Sequence, residues 1–464
     1  MAVKEAGLGT GRTGGREATT GVIPGRIALS VGCPDLDPPK GWRWTPLSNV
    51  AQLESGHTPS RKNPQYWDGG IPWIGIKDAT DNHGRTLLDT YQHVSALGLE
   101  NSSARLLPTN TVCLSRTASV GFVVVMGRPM ATSQDFVNWV CGPNIDPHYL
   151  KHVLLAENEA LWRFASGTTH QTIYYPEAKA FHVCLPPLDE QKAIVTVLGA
   201  LDDKIELNRR MNATLETIAR ALFQCWFVDF DPVRAKLDGR RPVGLDPETA
   251  ALFPQYLEYS PLGAIPKGWQ VNRISEVVEE VFDGPHATPP HSEEGPVFLG
   301  IKNLTGSTID LSDIRYICES DWPRWTKRVT PQPLDIVFSY EATLGFFALI
   351  PPGLRCCLGR RLALIRPRVE DGHSHFWFHQ FIGPDFQRYL IQHSVQGATV
   401  DRIPLIQFPN YLVLNPPSAL KEAFECRVAP LWAKIHSNAK QSRTLATLRD
   451  TLLPKLLSGE LRIN

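Results

Sequence analysis

The sequence has no apolar run near the 18 or so residues that a helical membrane span needs; its longest streaks, such as GFVVVM from Gly121, have the length of buried strands. The first 38 residues, beginning MAVKEAGLGTGRTGG, lack the apolar core of a secretory signal and read as a flexible leader. Nine cysteines include no CxxC pair and no regular spacing, which argues against a zinc ribbon or a disulfide framework and favours the reduced cytoplasm. There is no excess of charge: 47 Lys and Arg face 47 Asp and Glu, whereas a chain that held DNA alone by neutralising phosphates would carry a basic surplus. No G-x-x-x-x-G-K-[ST] stretch occurs, so no ATP motor is read by that route.

What is present is an ordinary globular composition, 464 residues with 42% hydrophobic and 20% charged, long enough for two or more domains. It is also duplicated. PKGWRWTPLSNV from Pro39 is matched by PKGWQVNRISEV from Pro266, WIGIKD from Trp73 by FLGIKN from Phe298, and VCLSRTASVGF from Val112 by IVFSYEATLGF from Ile336. GTTHQTI from Gly167 is matched by GATVDRI from Gly397, and LPPLDEQKA from Leu185 by NPPSALKEA from Asn415. One unit therefore occurs twice in tandem.

Each copy has two parts. The first mixes short β-branched and aromatic runs with Gly, Pro and Asn breaks, which predicts a small α+β domain rich in loops. The second is a helix. Ile194, Leu198, Leu201, Ile205, Asn208, Asn212, Leu215, Ala219, Leu222 and Trp226 follow alternating steps of four and three, the seam of a coiled coil. The second copy repeats it with Phe424, Val428, Leu431, Ile435, Asn438, Ser442, Leu445, Arg449, Leu452 and Leu456. Asn208 and Asn438 interrupt both seams at one place, which is expected if the two helices pack on each other, antiparallel, with the asparagines together. Arg449 is an exception, for which Leu448 is the substitute. About 35 residues at 1.5 Å each make a rod on the order of 50 Å, with a reader expected at either end. The fold class is thus two tandem α+β domains, each followed by a long helix, the helices pairing as an antiparallel coiled coil. The expected layout is leader 1–38, first domain 39–185, central helical region 186–240, linker 241–265, second domain 266–414 and C-terminal helix 415–464.

Several stretches taken in order, WFVDFDPVRAK from Trp226, RPVGLDPETAALFP from Arg241, LGAIPKGW from Leu262, LPPLDEQKAIV and the closing LLSGEL from Leu456, resemble the specificity subunits of type I restriction-modification enzymes. SGHTPSRKNPQYWDGGIPWI from Ser55 resembles the start of a target recognition domain of that family; FDGPHATPPHSEEGPVFL from Phe282 departs from that form, so the two domains are expected to read different half-sites. The resemblance implies a non-catalytic subunit whose two domains read a split target in double-stranded DNA. It also implies helices that dock two methyltransferase subunits, and restriction or translocase subunits through them. S-adenosylmethionine is then expected in those partners and no cofactor or metal in this chain.

Other chemistry has weaker support. NPPS at Asn415 resembles the Asn-Pro-Pro-aromatic motif of adenine methyltransferases, but Ser418 stands where the stacking ring belongs, and Pro186-Pro187 repeats the pair at the other helix entrance. A self-contained adenine methyltransferase and a scaffold that binds no DNA remain as alternatives. GTGRTG from Gly9 lacks the flanking strand and helix of a dinucleotide site, and EAK from Glu177 lacks an upstream acidic partner for a nuclease. His373, His375 and His379 have ligand spacing, yet His148 and His152 hold the matching places in the first copy, so a repeated helix start explains them.

Base reading calls for Arg or Lys toward guanine and Asn or Gln toward adenine. The candidates in the first domain are Arg61, Lys62, Gln65, Lys77, Arg116, Ser133, Gln134, His170 and Gln171; by position in the repeat, those in the second are Lys302, Asn303, Tyr340, Glu341, Arg360, Arg361, Thr399 and Arg402. A solvated surface side chain explains any one of them equally well. Phe223, Phe227 and Phe230 lie off the seam and are expected to meet either a partner or the globular domains.

Overall fold

The computed structural model describes residues 17–167, 171–368, 372–395 and 400–463. The leader up to Arg16 with its GTGRTG, and the candidates His170 and Thr399, lie outside them. The chain forms two compact units, Met1–Ile205 with Thr444–Asn464, and Glu206–Arg443.

In the first unit a five-stranded sheet runs in the order Ala51–Ser55, Phe136–Cys141, Val112–Ser115, Val123–Met126, Thr86–Leu87, and Pro147–Ala156 is the main helix packed on it. Val112–Ser115 and Val123–Met126 are buried on both faces, which is why they read as continuous apolar runs and not as alternating ones. A three-stranded sheet, Ala131–Thr132, Trp67–Ile74, Gln92–Val94, adjoins it in sequence. A four-stranded sheet joins Ile23–Pro24, Leu29–Val31, Phe181–Leu185 and Arg43–Pro46, all antiparallel. The second unit repeats the plan with Val278–Asp283, Leu362–Pro367, Ile336–Ser339 and Phe347–Leu349 as the large sheet and Arg315–Tyr316, Ser292–Leu299 and Cys356–Leu358 as the smaller one. Gln270–Arg273 pairs with Leu412–Asn415 as Arg43–Pro46 does with Phe181–Leu185.

One expectation is corrected here. Residues 17–38 are not wholly a flexible leader: Leu29–Val31 extends a sheet, and Ala28, Leu29 and Val31 are completely buried. The buried Glu157 carboxylate accepts the backbone N–H groups of Arg26, Ile27, Ala28 and Leu29 at 2.6, 2.6, 2.7 and 3.2 Å, so four consecutive amides are anchored by one side chain distant in sequence.

The long helices are Leu188–Phe223 and Ser418–Leu457. Within the first unit Ile194 and Leu198 pack with Leu453, Leu456 and Leu457 in one core that includes Trp42. Within the second, Ala219 and Phe223 share a core with Phe424, Val428 and Ile435. The helices are antiparallel, since Asn208 meets Asn438, Gln441 and Ser442 while the later Asn212 meets the earlier Ile435. Leu448 does not replace Arg449 in the seam; it is 45% exposed. Arg449 stays and donates to Asp202 Oδ1 at 3.0 Å, and Lys151 Nζ reaches Asp202 Oδ2 at 2.8 Å.

Phe223, Phe227 and Phe230 are all buried, packed on the second domain. The first long helix ends in a π turn, Gln224–Val228, after which Phe230 takes a left-handed φ of 54°. This reversal brings Phe227 and Phe230 within 5.8 and 5.7 Å, ring to ring, of Trp269 in the second PKGW. At the other PKGW, Trp42 donates to Glu190 at 3.0 Å and Arg462, beyond the end of the second long helix, donates to the Lys40 carbonyl at 2.6 Å. Each PKGW thus receives the end of the helix belonging to the other copy.

Candidate nucleic-acid interface

Hydrogen bonds tie the candidates of the first unit into one polar surface. Arg61, Lys62 and Gln65 stand exposed between Ala51–Ser55 and Trp67–Ile74. Thr58 of the same segment donates to Gln134 Oε1, and Arg116 Nε donates to the Gln134 carbonyl at 3.1 Å with its guanidinium 4.8 Å from the Tyr175 ring centre. Next to Arg116, the Thr117 and Thr172 hydroxyls share a 2.8 Å hydrogen bond, and Gln171 Nε2 donates to the Gly167 carbonyl at 3.0 Å. Four segments far apart in sequence therefore meet, and Arg61, Arg116, Gln134 and Gln171 fall on them. Lys77 stands nearer Tyr91, 4.6 Å from its ring, and its hydrogen bond to Asp81 at 2.7 Å raises it above the ordinary lysine value.

Ser133 is removed from this surface as a base reader, being 1% exposed with its hydroxyl bonded to Asp135 Oδ2 at 3.0 Å. In the second unit Asn303 is removed in the same way. It is buried, its amide donates to the Asp310 and Asp313 carbonyls at 2.9 and 3.0 Å, and its Oδ1 accepts from Gly300 N. Asp78, at the matching place in the first unit, accepts from Gly75 N at 2.9 Å and Tyr91 N at 2.8 Å; burial raises its pKa. The repeated Gly-Ile-Lys-Asp/Asn stretch is thus a loop staple, chosen for a short side chain that satisfies buried amides.

Tyr340 is buried too, its hydroxyl pushed up by burial and by Asp283 beside it. Arg361 holds a φ of 72°, and its Nε lies 3.5 Å from Glu341 Oε2; the backbone of Arg402 bridges to Glu341 and to Val395. Arg360 and Arg402 are exposed, and Lys302 is exposed and paired with Asp313. Sequence reading missed a cluster beside them. Asp283 accepts from His286 at 2.7 Å and from Arg328 at 3.0 Å, and Arg328 also donates to the Gly284 carbonyl at 2.8 Å. With Arg324, Trp325 and Lys327 these groups line a cavity of about 200 Å³.

An exposed Arg/Gln surface in one unit and a basic, aromatic hollow in the other, each on an α+β domain carrying a helix pair, is an arrangement suited to a nucleic acid. Residues 39–217 match the family described as the type I restriction modification DNA specificity domain. The chain is 28% identical over 436 residues to the type I restriction enzyme MjaIX specificity subunit of Methanocaldococcus jannaschii, a match covering 92% of this chain and 94% of that protein. Over nearly its whole length the chain is similar to type I restriction enzyme specificity subunits.

The HindI specificity subunit of Haemophilus influenzae is 26% identical over 398 residues, 72% of this chain and 84% of that one. Among solved structures, the type I restriction-modification S subunit from M. genitalium has the same fold, with a TM-score of 0.54 at 16% identity over 91% of this chain and 98% of that one. The missed cluster had a visible signal in the sequence: WPRWTKR, from Trp322, puts three cations beside two tryptophans in seven residues. It has no counterpart in the first copy, so a search confined to matched repeat positions passes over it. The histidines read as a possible ligand set are engaged in packing, His379 Nε2 accepting from Trp432 Nε1 at 3.0 Å and His375 Nδ1 facing Glu425 at 2.5 Å. Burial holds His379 well below the usual histidine range.

Proposed function

We propose that this chain is the non-catalytic DNA-reading subunit of a type I restriction-modification complex, in which each unit reads one half of a split target and the paired helices dock two methyltransferase subunits. The observation that carries this is the duplication itself: two domains of one plan, with different exposed side chains, each fused to one arm of an antiparallel helix pair. Two readers of unlike chemistry are what a target with two unlike halves requires. The near-neutral charge fits a chain that relies on partners to close around the duplex and supply phosphate contacts.

A groove of about 930 Å³ in the second unit, between the helices near Asn212 and His436 and the loops at Ser307 and Pro352, offers a partner a surface. Asn415 of the NPPS stretch supports a structural and not a methyl-transferring role. Its amide donates to Asn272 Oδ1 at 3.1 Å and its Oδ1 accepts from Lys421 at 3.0 Å, so the side chain joins a strand pair to the start of a helix. S-adenosylmethionine then belongs to the partner subunits, and the complex works in the cytoplasm. No helix among the described residues is long and apolar enough to cross a membrane.

The test is the methylome of cells expressing this chain with its neighbouring methyltransferase subunit, and of cells expressing either alone. A split motif methylated only when both are present is the expected result. Methylation by this chain alone would restore the methyltransferase reading, and sequence-independent behaviour of the complex would favour a scaffold.

A further inference from the structure

Four cations on the two candidate surfaces are neutralised where they stand: Lys77 by Asp81, Lys302 by Asp313, Arg328 by Asp283 and Arg361 by Glu341. Arg61 is different. Its guanidinium lies 3.8 Å from the centre of the Trp67 ring and 5.3 Å from that of Trp73, and Nη2 donates to Gln92 Oε1 at 2.8 Å. Among the described residues no carboxylate forms an ion pair with it. It is therefore held in place by neutral groups and keeps its full charge.

The cradle is a built one. Trp67 and Trp73 meet edge to face with ring centres 5.1 Å apart. Trp73 Nε1 donates to the His57 carbonyl at 3.1 Å and Trp67 Nε1 to the Ser60 carbonyl at 3.4 Å, so the rings that hold the guanidinium also fasten the loop that carries it. Gln92 stands directly across the strand pair from Trp73, and Thr90 Oγ1 accepts from Trp73 N and donates to the Gln92 carbonyl. Sheet register thus decides where the Gln92 amide points. Arg116 is also held by neutral groups, but it is half-buried beside Tyr175; Arg61 is the exposed one.

We propose that Arg61 reads a guanine in the half-site of the first unit and that Gln92 is its positioning residue, an inference that rests on the DNA-reading function above. A phosphate also accepts a guanidinium fork, but it is the same at every step of the duplex and carries no sequence. Base reading needs direction, and Arg toward guanine O6 and N7 is the commonest direct contact of the major groove. Because Gln92 turns its carbonyl to Arg61, its NH2 remains, and the pair presents donors only. Guanine offers two adjacent acceptors on that edge, whereas adenine offers an acceptor beside a donor. The rotamer freedom an unrestrained arginine would lose on binding has already been lost on folding. The matching segment of the second unit, His286–His291, has no arginine, so the second half-site is read by other means and serves as an internal control.

The test uses the full complex with its methyltransferase subunits, comparing the wild-type chain with Arg61→Lys, Arg61→Ala and Gln92→Leu by single-molecule methylome sequencing. The expected result is relaxation of one guanine position in one half-site, with discrimination there falling about ten- to a hundredfold in Arg61→Ala, partly in Arg61→Lys and least in Gln92→Leu. The other half-site and the spacer stay unchanged, which also certifies folding. An unchanged motif in both Arg61 variants, or a uniform loss of methylation with no relaxed position, overturns the proposal while leaving the DNA-reading function standing. A wild-type complex with no split motif overturns both.

Discussion

The two units close the same helix pair with different chemistry. In the first, Lys151, Asp202 and Arg449 form an ionic triad beside the apolar seam, with His152 buried next to it and both its ring nitrogens without a hydrogen-bond partner among the described residues. In the second, amides take the polar layer. Asn438 donates to Asn212 Oδ1 at 2.9 Å and Asn208 to Gln441 and Ser442, while Phe223, Trp226, Phe227, Phe376 and Phe424 fill the space toward the domain. Duplication has kept what geometry demands, apolar residues every three or four positions and a polar layer to set register, and let the identity of the polar groups drift. Two copies can therefore share a backbone plan while differing in which variant or which pH weakens them.

Variants that touch only one unit sharpen that contrast. The largest effect is expected from Trp226→Ala, which empties the aromatic core of the second unit at a cost of about 3–5 kcal/mol. Hydrogen exchange should show Ile336–Ser339 losing protection while Val112–Ser115 keeps it, and equal losses in both would break the contrast. Next comes Asp202→Ala, which leaves Lys151 buried and unpaired and should cost the first unit about 3 kcal/mol, with the exchange pattern reversed. Burial raises the Asp202 pKa, but Lys151 and Arg449 outweigh it and hold it below the ordinary value. Its contribution is therefore present at neutral pH and fades only as pH falls below about 4.

His152 sets the acid response of the first unit at milder pH. Burial, with Lys151 adding to it, lowers its pKa to about 3, so between about pH 6.5 and 3 the unfolded chain takes up a proton that the folded chain refuses, and stability falls as pH falls. His152→Leu should reduce the loss between pH 7 and pH 5 by about 2 kcal/mol, measured by denaturant unfolding at both values. The smallest change, and the one of opposite sign, is Asn208→Leu. Asn208 Oδ1 is buried with no partner among the described residues, and an apolar seam residue packs better, which outweighs the loss of the Nδ2 bonds to Gln441 and Ser442; the second unit should gain under about 1 kcal/mol, seen as a small rise in its unfolding midpoint.

Much of this was legible in the residues. Steps of four and three from Ile194 and from Phe424 predict the helix pair, and Asn208 and Asn438 predict its register, because a seam residue must recur on one face whatever surrounds it. The repeat predicts two domains of one plan. Missed were contacts joining residues remote in sequence: Glu157 capturing the amides of Arg26 to Leu29, and Asp202 drawing Arg449 into the seam where Leu448 was expected. At the candidate interface, residue type misled for Ser133, Asn303 and Tyr340, because burial removes a polar side chain from DNA however suitable its chemistry. Gln92 was passed over because only the strand register opposite Trp73 makes it a neighbour of Arg61.

The duplication, the α+β class of each copy and the antiparallel helix pair are written in periodicity and in local motifs that act over a few residues. Which polar side chains face solvent, which act as staples, and which exposed arginine is held by neutral groups were settled by packing. Those outcomes depend on what lies across a sheet or a loop, and a linear pattern carries no record of neighbours brought together by folding.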